Sequence, residues 1–301
     1  MTNIDKFINN IICPKGVICN MYSQQHTEFA SSVNDIKTII ETITDKNNII
    51  FIRNGSTNRC TDLQIFADHL HLIRIPVILI TTDGDRSMPS THDYNKVINK
   101  LLSSDIIIRW YTQNYDKSII HPKLTYIPIG FDLHTMRWLV NGSVSGKVEY
   151  MIKSRIFALT NKRISGAIFC DAHLTVSHPD RLNMYDALSG NKNVHFLEDR
   201  ISFTEITDTY NKYNFALSPR GNGLDCHRTW ELFMAGIIVI TRTSALDEMY
   251  IKNNLPVVIL NDWNELNDDL ENKLERWFTV HKDKTNIANI MPRLTFDYWL
   301  N

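Results

Sequence analysis

"YNFALSPRGNGLDCHRTWELFMAGIIVI" runs from Tyr213 to Ile240 and holds four pieces in order. An apolar, strand-length run ends at Ser218, and the loop PRGNG leaves it. A helix-length segment with apolar residues on one side follows, and Gly236 separates it from a second apolar run. Strand, crossover helix and strand is the unit of a parallel sheet. Open parallel sheets bind ligands at the carboxyl ends of their strands, where the PRGNG loop stands. Gly221 and Gly223 suit a tight turn and a close approach to the main chain. Asp225 is expected to cap the helix and Gly236 to stop it. A helix N-terminus carries partial positive charge, and Arg220 and Arg228 flank it with forks that match phosphate oxygens. Arg228, Glu231 and Ala235 share one helix face, while Cys226, Trp230, Phe233 and Met234 take another. Arg228 could thus serve a diphosphate and Glu231 a ribose. An alternative is a plain turn and a surface ion pair of about 0.2–0.5 kcal/mol, and the residues alone leave both open. Cys226 breaks the GxGxxG fingerprint, and no P-loop is present.

Working outward, the same alternation recurs along the chain. Strands are expected at 48–54, 75–82, 105–111 and 125–132, and then at 166–171, 193–198, 213–218, 237–241 and 256–260. Helices are expected near 179–189, 203–212, 225–235 and 263–278. The Gly/Ser/Lys-rich segment 141–154 reads as a linker. The expectation is an α/β chain of two Rossmann-like domains, 1–148 and 149–301, with parallel sheets facing a central cleft. The apolar tail FDYWLN is expected to pack back on the body.

Composition narrows the classes. Among 301 residues, 32 Lys plus Arg balance 33 Asp plus Glu, which argues against a nucleic-acid partner. No run approaches the roughly 20 apolar residues of a membrane span, and Asp5 sits where a signal peptide wants positive charge. Cys13, Cys19, Cys60, Cys170 and Cys226 are odd in number and scattered, as reduced cytosolic thiols would be.

The segment SPRGNGLDCHRTWELFMAGIIVI resembles the corresponding stretch of exostosin-like and related GT-B glycosyltransferases, with Ile238 standing where that pattern has proline. HPKLTYIPIGFDLHT (121–135) and NLPVVILNDWNEL (254–266) resemble two further stretches of the same family, so the likeness covers much of 105–270. It implies transfer of a sugar from a nucleotide-sugar donor, with a UDP-sugar favoured, to a glycan or other hydroxyl acceptor. The transfer would be inverting and metal-independent. The donor would meet Arg220, Gly221, Asn222, Gly223, Asp225, His227, Arg228, Glu231 and Thr241. Arg181, in SHPDRLNMYDAL, resembles a donor-diphosphate arginine of fucosyltransferase-type enzymes and could equally be a solvated helix residue. The absence of an anchor, beside the membrane-anchored Golgi exostosins, suggests a cytoplasmic bacterial or viral setting. Two rivals stand beside this reading. A sugar-nucleotide epimerase would need acid/base groups that the sequence does not display together, and a non-catalytic nucleotide- or carbohydrate-binding relic would keep the donor loop alone.

An inverting transfer needs a carboxylate to take the acceptor's proton. Asp85 in TTDGDRSMP is the first choice, Asp83 the second and Asp132 the third, although a simple Asp-Gly turn explains the first two. Asp83-Gly84-Asp85 also imitates a metal-holding DxD. With arginines at the donor site, no metal is expected. Arg242, Thr243 and Ser244 follow Thr241 out of their strand and could contact a nucleotide or merely cap the next helix. Trp110, Tyr111 and Tyr115 are expected in the core, with acceptor stacking as the alternative. His69 with His71, and Cys170 with His173, lack the companion pairs a metal site needs.

Overall fold

The computed structural model describes residues 3–13, 32–54, 62–90, 95–135, 139–174 and 178–301. Their contacts divide the chain into two compact units. The first comprises residues 12–129 together with 223–225, and the second comprises 1–11, 130–222 and 226–301.

In the first unit β1 (Ile49–Arg53), β2 (Val77–Thr82), β3 (Ile107–Thr112) and β4 (Leu124–Tyr126) pair in parallel, in that order. Ile50, Ile52, Leu79 and Trp110 pack with Ile36 and Phe66 of the covering helices. The expected strand over 125–132 is shorter, because Pro128 offers no N–H and Gly130 turns the backbone to φ +67°.

The second unit contains β5 (Ile164–Cys170), β6 (Val194–Phe196), β7 (Tyr213–Leu217), β8 (Ile238–Arg242) and β9 (Val257–Leu260). All pairings are parallel and the order is β6-β5-β7-β8-β9. The chain steps from β5 to β6 on one side and returns to β7 on the other. The strand order therefore reverses between β5 and β7, and their carboxyl ends form the crevice where such sheets take ligands. Among the described residues the β1–β4 sheet has no reversal. The expected α/β architecture with two Rossmann-like parallel sheets is present.

Two expectations need correction. The compact units part at 129/130 rather than near 150, and 141–154 is no linker. Ser143 caps a helix at Val144–Ala158 by accepting from the Gly146 N–H at 3.1 Å. Lys147, Val148, Met151, Ile152, Arg155 and Ala158 bury one side of that helix. Lys147 donates to Glu231 and to the Asp132 carbonyl, and Arg155 donates from Nη2 to the Thr285 carbonyl at 3.0 Å, so the buried side of the helix carries two cations with partners at their heads. The span 263–278 is likewise broken into a 3-10 turn, Trp263–Asn267, and a helix, Leu270–His281, with Asp269 between them at φ +50°.

Near its end the chain returns to the second unit's N-terminal segment. Ile11 bridges Thr295, and the Phe296 N–H donates to the Asn10 carbonyl at 2.8 Å. Trp299 is buried, with its ring 5.9 Å from that of Trp230.

Candidate functional site

The crevice between β5 and β7 gathers arginines. Arg181, in the helix Pro179–Leu188, donates from Nε to the Arg220 carbonyl at 3.1 Å and from Nη1 to the His173 carbonyl at 3.1 Å. It straps the loop leaving β5 to the loop leaving β7. Arg220 donates from Nη2 to the Asn222 carbonyl at 3.4 Å, and its buried Nε has no hydrogen-bond partner among the described residues. Arg242, at the end of β8, donates from Nη1 to Asp180 at 2.8 Å, and its buried Nε is also without a partner there. His178 sits among the three. Burial first, and then Arg220, Arg181 and Arg242, push its pKa below the usual histidine range against the opposing pull of Asp180. Asp180 is already engaged by Arg242 and by the Trp263 indole N–H at 3.1 Å. Three cations, two of them with orphan buried donors, outnumber the occupied Asp180 and the Asp262 carboxylate that Arg242 also feels, and make a place that suits an anion.

Arg228 faces the same crevice, but the structure gives it an acidic partner. Its Nε donates to Asp171 Oδ1 at 2.5 Å and its Nη2 to the Asp171 carbonyl at 3.1 Å. The other Asp171 oxygen accepts from the Tyr210 hydroxyl at 2.7 Å. Burial opposes the Arg228 charge, and Asp171 more than offsets it, so its pKa lies above the normal arginine value. Burial and Asp171 hold the Tyr210 hydroxyl well above its usual range. The geometry thus commits Arg228 to fixing the carboxyl end of β5.

The PRGNG glycines are required by close approach rather than by unusual dihedrals. A Cβ on Gly221 would lie 3.1 Å from Arg181 Nη2, and one on Gly223 would lie 2.7 Å from Asn114 Nδ2. Asn114, in left-handed backbone after β3, donates to the Gly84 carbonyl at 3.0 Å and accepts from the Asp225 N–H at 2.9 Å. Asp225 does not cap the helix. The helix begins at His227 with Cys226 at the cap position, and Asp225 is buried, accepting from the Ile129 N–H at 2.8 Å. The cap expectation fails because the carboxylate is worth more against an otherwise orphaned buried amide. Gly236, at φ +69°, does end the helix, and Arg163 caps the Gly236 and Ala235 carbonyls at 2.7 Å each.

A second cluster lies where the chain enters the second unit. Asp132 Oδ1 accepts from the His134 and Thr135 amides at 3.3 and 3.0 Å and lies 3.2 Å from His134 Nδ1. His227 places Nδ1 2.8 Å from the Gly130 carbonyl, which leaves Nε2 to carry the lone pair. The two imidazole centroids are 5.5 Å apart. Lys147, almost wholly buried, donates to Glu231 at 2.8 Å and to the Asp132 carbonyl at 2.5 Å. Burial opposes the Asp132 charge, but His227, His134 and Lys147 together bring its pKa down to about 2. Asp132, His134 and His227 each offer a ligand atom within 4.8 Å of the others, so this is the group among the described residues that could hold a metal ion. It can equally exchange protons. Glu231 is bound to Lys147 rather than bare. Nothing in the sequence marked His134 or Lys147; only the fold brings residue 147 to 231.

The remaining candidates are placed as follows. Asp83 (φ +59°) leaves β2, and its amide donates to Gln113 Oε1 at 3.2 Å. Gln113 and Asn114 both hold the Gly84 carbonyl, so the loop carrying Asp83 and Asp85 is pinned to the β3 exit within the first unit. Thr241 spends its hydroxyl on the Ser218 carbonyl at 2.9 Å. Trp110, Tyr111 and Tyr115 are core residues. The rings of His69 and His71 stack, and each Nδ1 meets a backbone carbonyl. Cys170 is buried with its thiol pushed up to about 12 by burial, and His173 accepts from Arg200 at 2.7 Å. Cys13 and Cys170 are buried and Cys226 is half-buried, while Cys19 and Cys60 lie outside the described residues.

Comparison with known proteins finds little to set beside this geometry. No family model matches the chain, and no curated protein matches it. Among solved structures, it is similar to the UDP-GlcNAc 2-epimerase from Methanocaldococcus jannaschii at 15% identity and a TM-score of 0.35. That match covers 89% of this chain and 79% of the other. No helix among the described residues is long and apolar enough to cross a membrane.

Proposed function

We propose that the chain is a nucleotide-sugar enzyme of GT-B type, a glycosyltransferase whose donor diphosphate lies on Arg181, Arg220 and Arg242 at the β5/β7 crevice. The observation that carries this reading is the pair of buried, unpartnered Nε groups on Arg220 and Arg242. In the proposed reaction an acceptor hydroxyl oxygen bonds to the anomeric carbon as the bond from that carbon to the phosphate oxygen breaks. The acceptor's proton passes to a carboxylate, for which Asp85 and Asp83 remain the proposed bases. The electron pair leaves with the nucleoside diphosphate, whose charge the arginines neutralise without a divalent ion. The 221–223 amides and His227 would complete the donor contacts, and a UDP-sugar is the proposed donor.

A second reading has its own support. An epimerase works on the nucleotide sugar alone and needs proton-transfer groups beside it. Asp132, His134 and His227 are such a set; the sequence marked Asp132 and His227 separately, and the fold adds His134 and brings the three together. A thermal-shift screen of UDP, GDP, CMP and their sugars, with and without EDTA, tests the shared part. A specific nucleotide should raise the midpoint irrespective of EDTA, and Arg220→Ala should abolish the shift. Stabilisation that requires a divalent ion would reassign Asp132, His134 and His227 as ligands, whereas no shift would remove the nucleotide reading. Conversion of the identified sugar nucleotide without acceptor would select the epimerase.

A further inference from the structure

The amino-terminal end of the β5–β9 sheet, opposite the crevice, carries a surface that the proposed chemistry does not use. The helix Val144–Ala158 ends there in an unusually apolar turn. Ile156 is 53% exposed, Phe157 72% and Leu159 57%, and Ile164, the first residue of β5, is 42% exposed. Ile156 and Phe157 in the last turn and Leu159 at the C-cap thus concentrate large exposed apolar side chains at this end of the helix. Around Phe157 runs a groove of about 730 Å³ lined by Tyr150, Lys153, Lys162, Asp208 and Lys212 among others. Asp208 is occupied by the Tyr150 and Ser154 hydroxyls at 2.9 Å each, and Glu149 pairs with Lys153 at 3.1 Å. Lys162 and Lys212 add positive charge, and Arg163 beside them is turned inward onto carbonyls.

We propose that this corner docks the protein on an anionic lipid surface, with Phe157, Ile156 and Leu159 entering the headgroup layer and Lys162 and Lys212 meeting lipid phosphates. The combination of protruding apolar side chains and a lysine rim is the chemistry that interfacial anchors use. A second copy of the chain fits less well. A two-fold contact through this patch would bring a second Lys162 and Lys212 to the same interface and add like charge there. Docked in this way, the crevice stands off the bilayer by about the seven-residue length of β5, roughly 20 Å.

Co-sedimentation of the full chain with phosphatidylcholine vesicles, with and without phosphatidylserine, tests the proposal without any nucleotide. Binding should be about tenfold or more tighter on the anionic vesicles and should fall with salt. Phe157→Ser with Ile156→Ser should abolish it, as should Lys162→Glu with Lys212→Glu, each with its melting midpoint retained. Equal affinity for neutral vesicles, no binding at low salt, or binding kept by both double variants would overturn it. Sedimentation velocity supplies the rival outcome: a concentration-dependent dimer lost in the Phe157→Ser variant would assign the patch to self-association and overturn lipid docking.

Discussion

Arg242 holds Asp180 with one Nη while its buried Nε has no partner among the described residues, whereas Arg228 gives both Nε and Nη2 to Asp171. The two arginines should therefore fail differently. Arg220→Ala removes a charged donor from the anion site and should weaken nucleoside diphosphate binding about tenfold or more by calorimetry, with little change in folding. Arg242→Ala should weaken that binding too, and should also destabilise the fold, because the buried Asp180 carboxylate loses its cation. Arg228→Ala leaves the Asp171 carboxylate without its cation and should cost about 3 kcal/mol of stability, read from the urea midpoint. PRGNG and its arginines stood out in the sequence because glycine and arginine at a strand's end are chemically conspicuous. The division of labour among those arginines was not legible, since Asp171 and Tyr210 reach Arg228 from other elements and only the folded chain brings them together.

At the scale of elements, the strands and helices of the second unit lie close to where apolar alternation puts them, because buried parallel strands leave short, unbroken apolar runs. The segment 141–154 misled because its glycines, serines and lysines suit a linker, whereas Ser143 caps a helix there and Lys147 is buried in it. Asn114 was invisible for a similar reason, being a polar residue whose work lies 111 residues away at Asp225. Gly223→Ala tests that contact. The added Cβ has to displace Asn114 and should destabilise the protein by about 1–3 kcal/mol, measured by chemical denaturation, while Gly142→Ala tests only the strain of a positive φ in open space. Trp299→Ala should cost about 3–5 kcal/mol, because it uncovers Trp230 in the helix that carries Arg228 and Glu231.

Across the whole molecule, stability should depend on pH through buried histidine. Burial, with Lys284 nearby, brings His281 down to about 4, below its unfolded value near 6.5. The folded state then binds fewer protons than the unfolded one at intermediate pH. Its contribution is full above about 6.5 and is lost as pH falls through about 4. His281→Gln should flatten that part of the pH–stability curve in urea titrations, and an unchanged slope would place the acid sensitivity elsewhere. The bridge between Ile11 and Thr295 has a consequence for the order in which the protein is made. A ribosome adding roughly 5–20 residues each second delivers residue 11 tens of seconds before residue 295. The first unit can close while its neighbour is still being synthesised, but for that interval Ile11, nearly inaccessible in the finished protein, has no partner strand. Ile11 thus waits through most of the synthesis of the second unit for the residue that covers it.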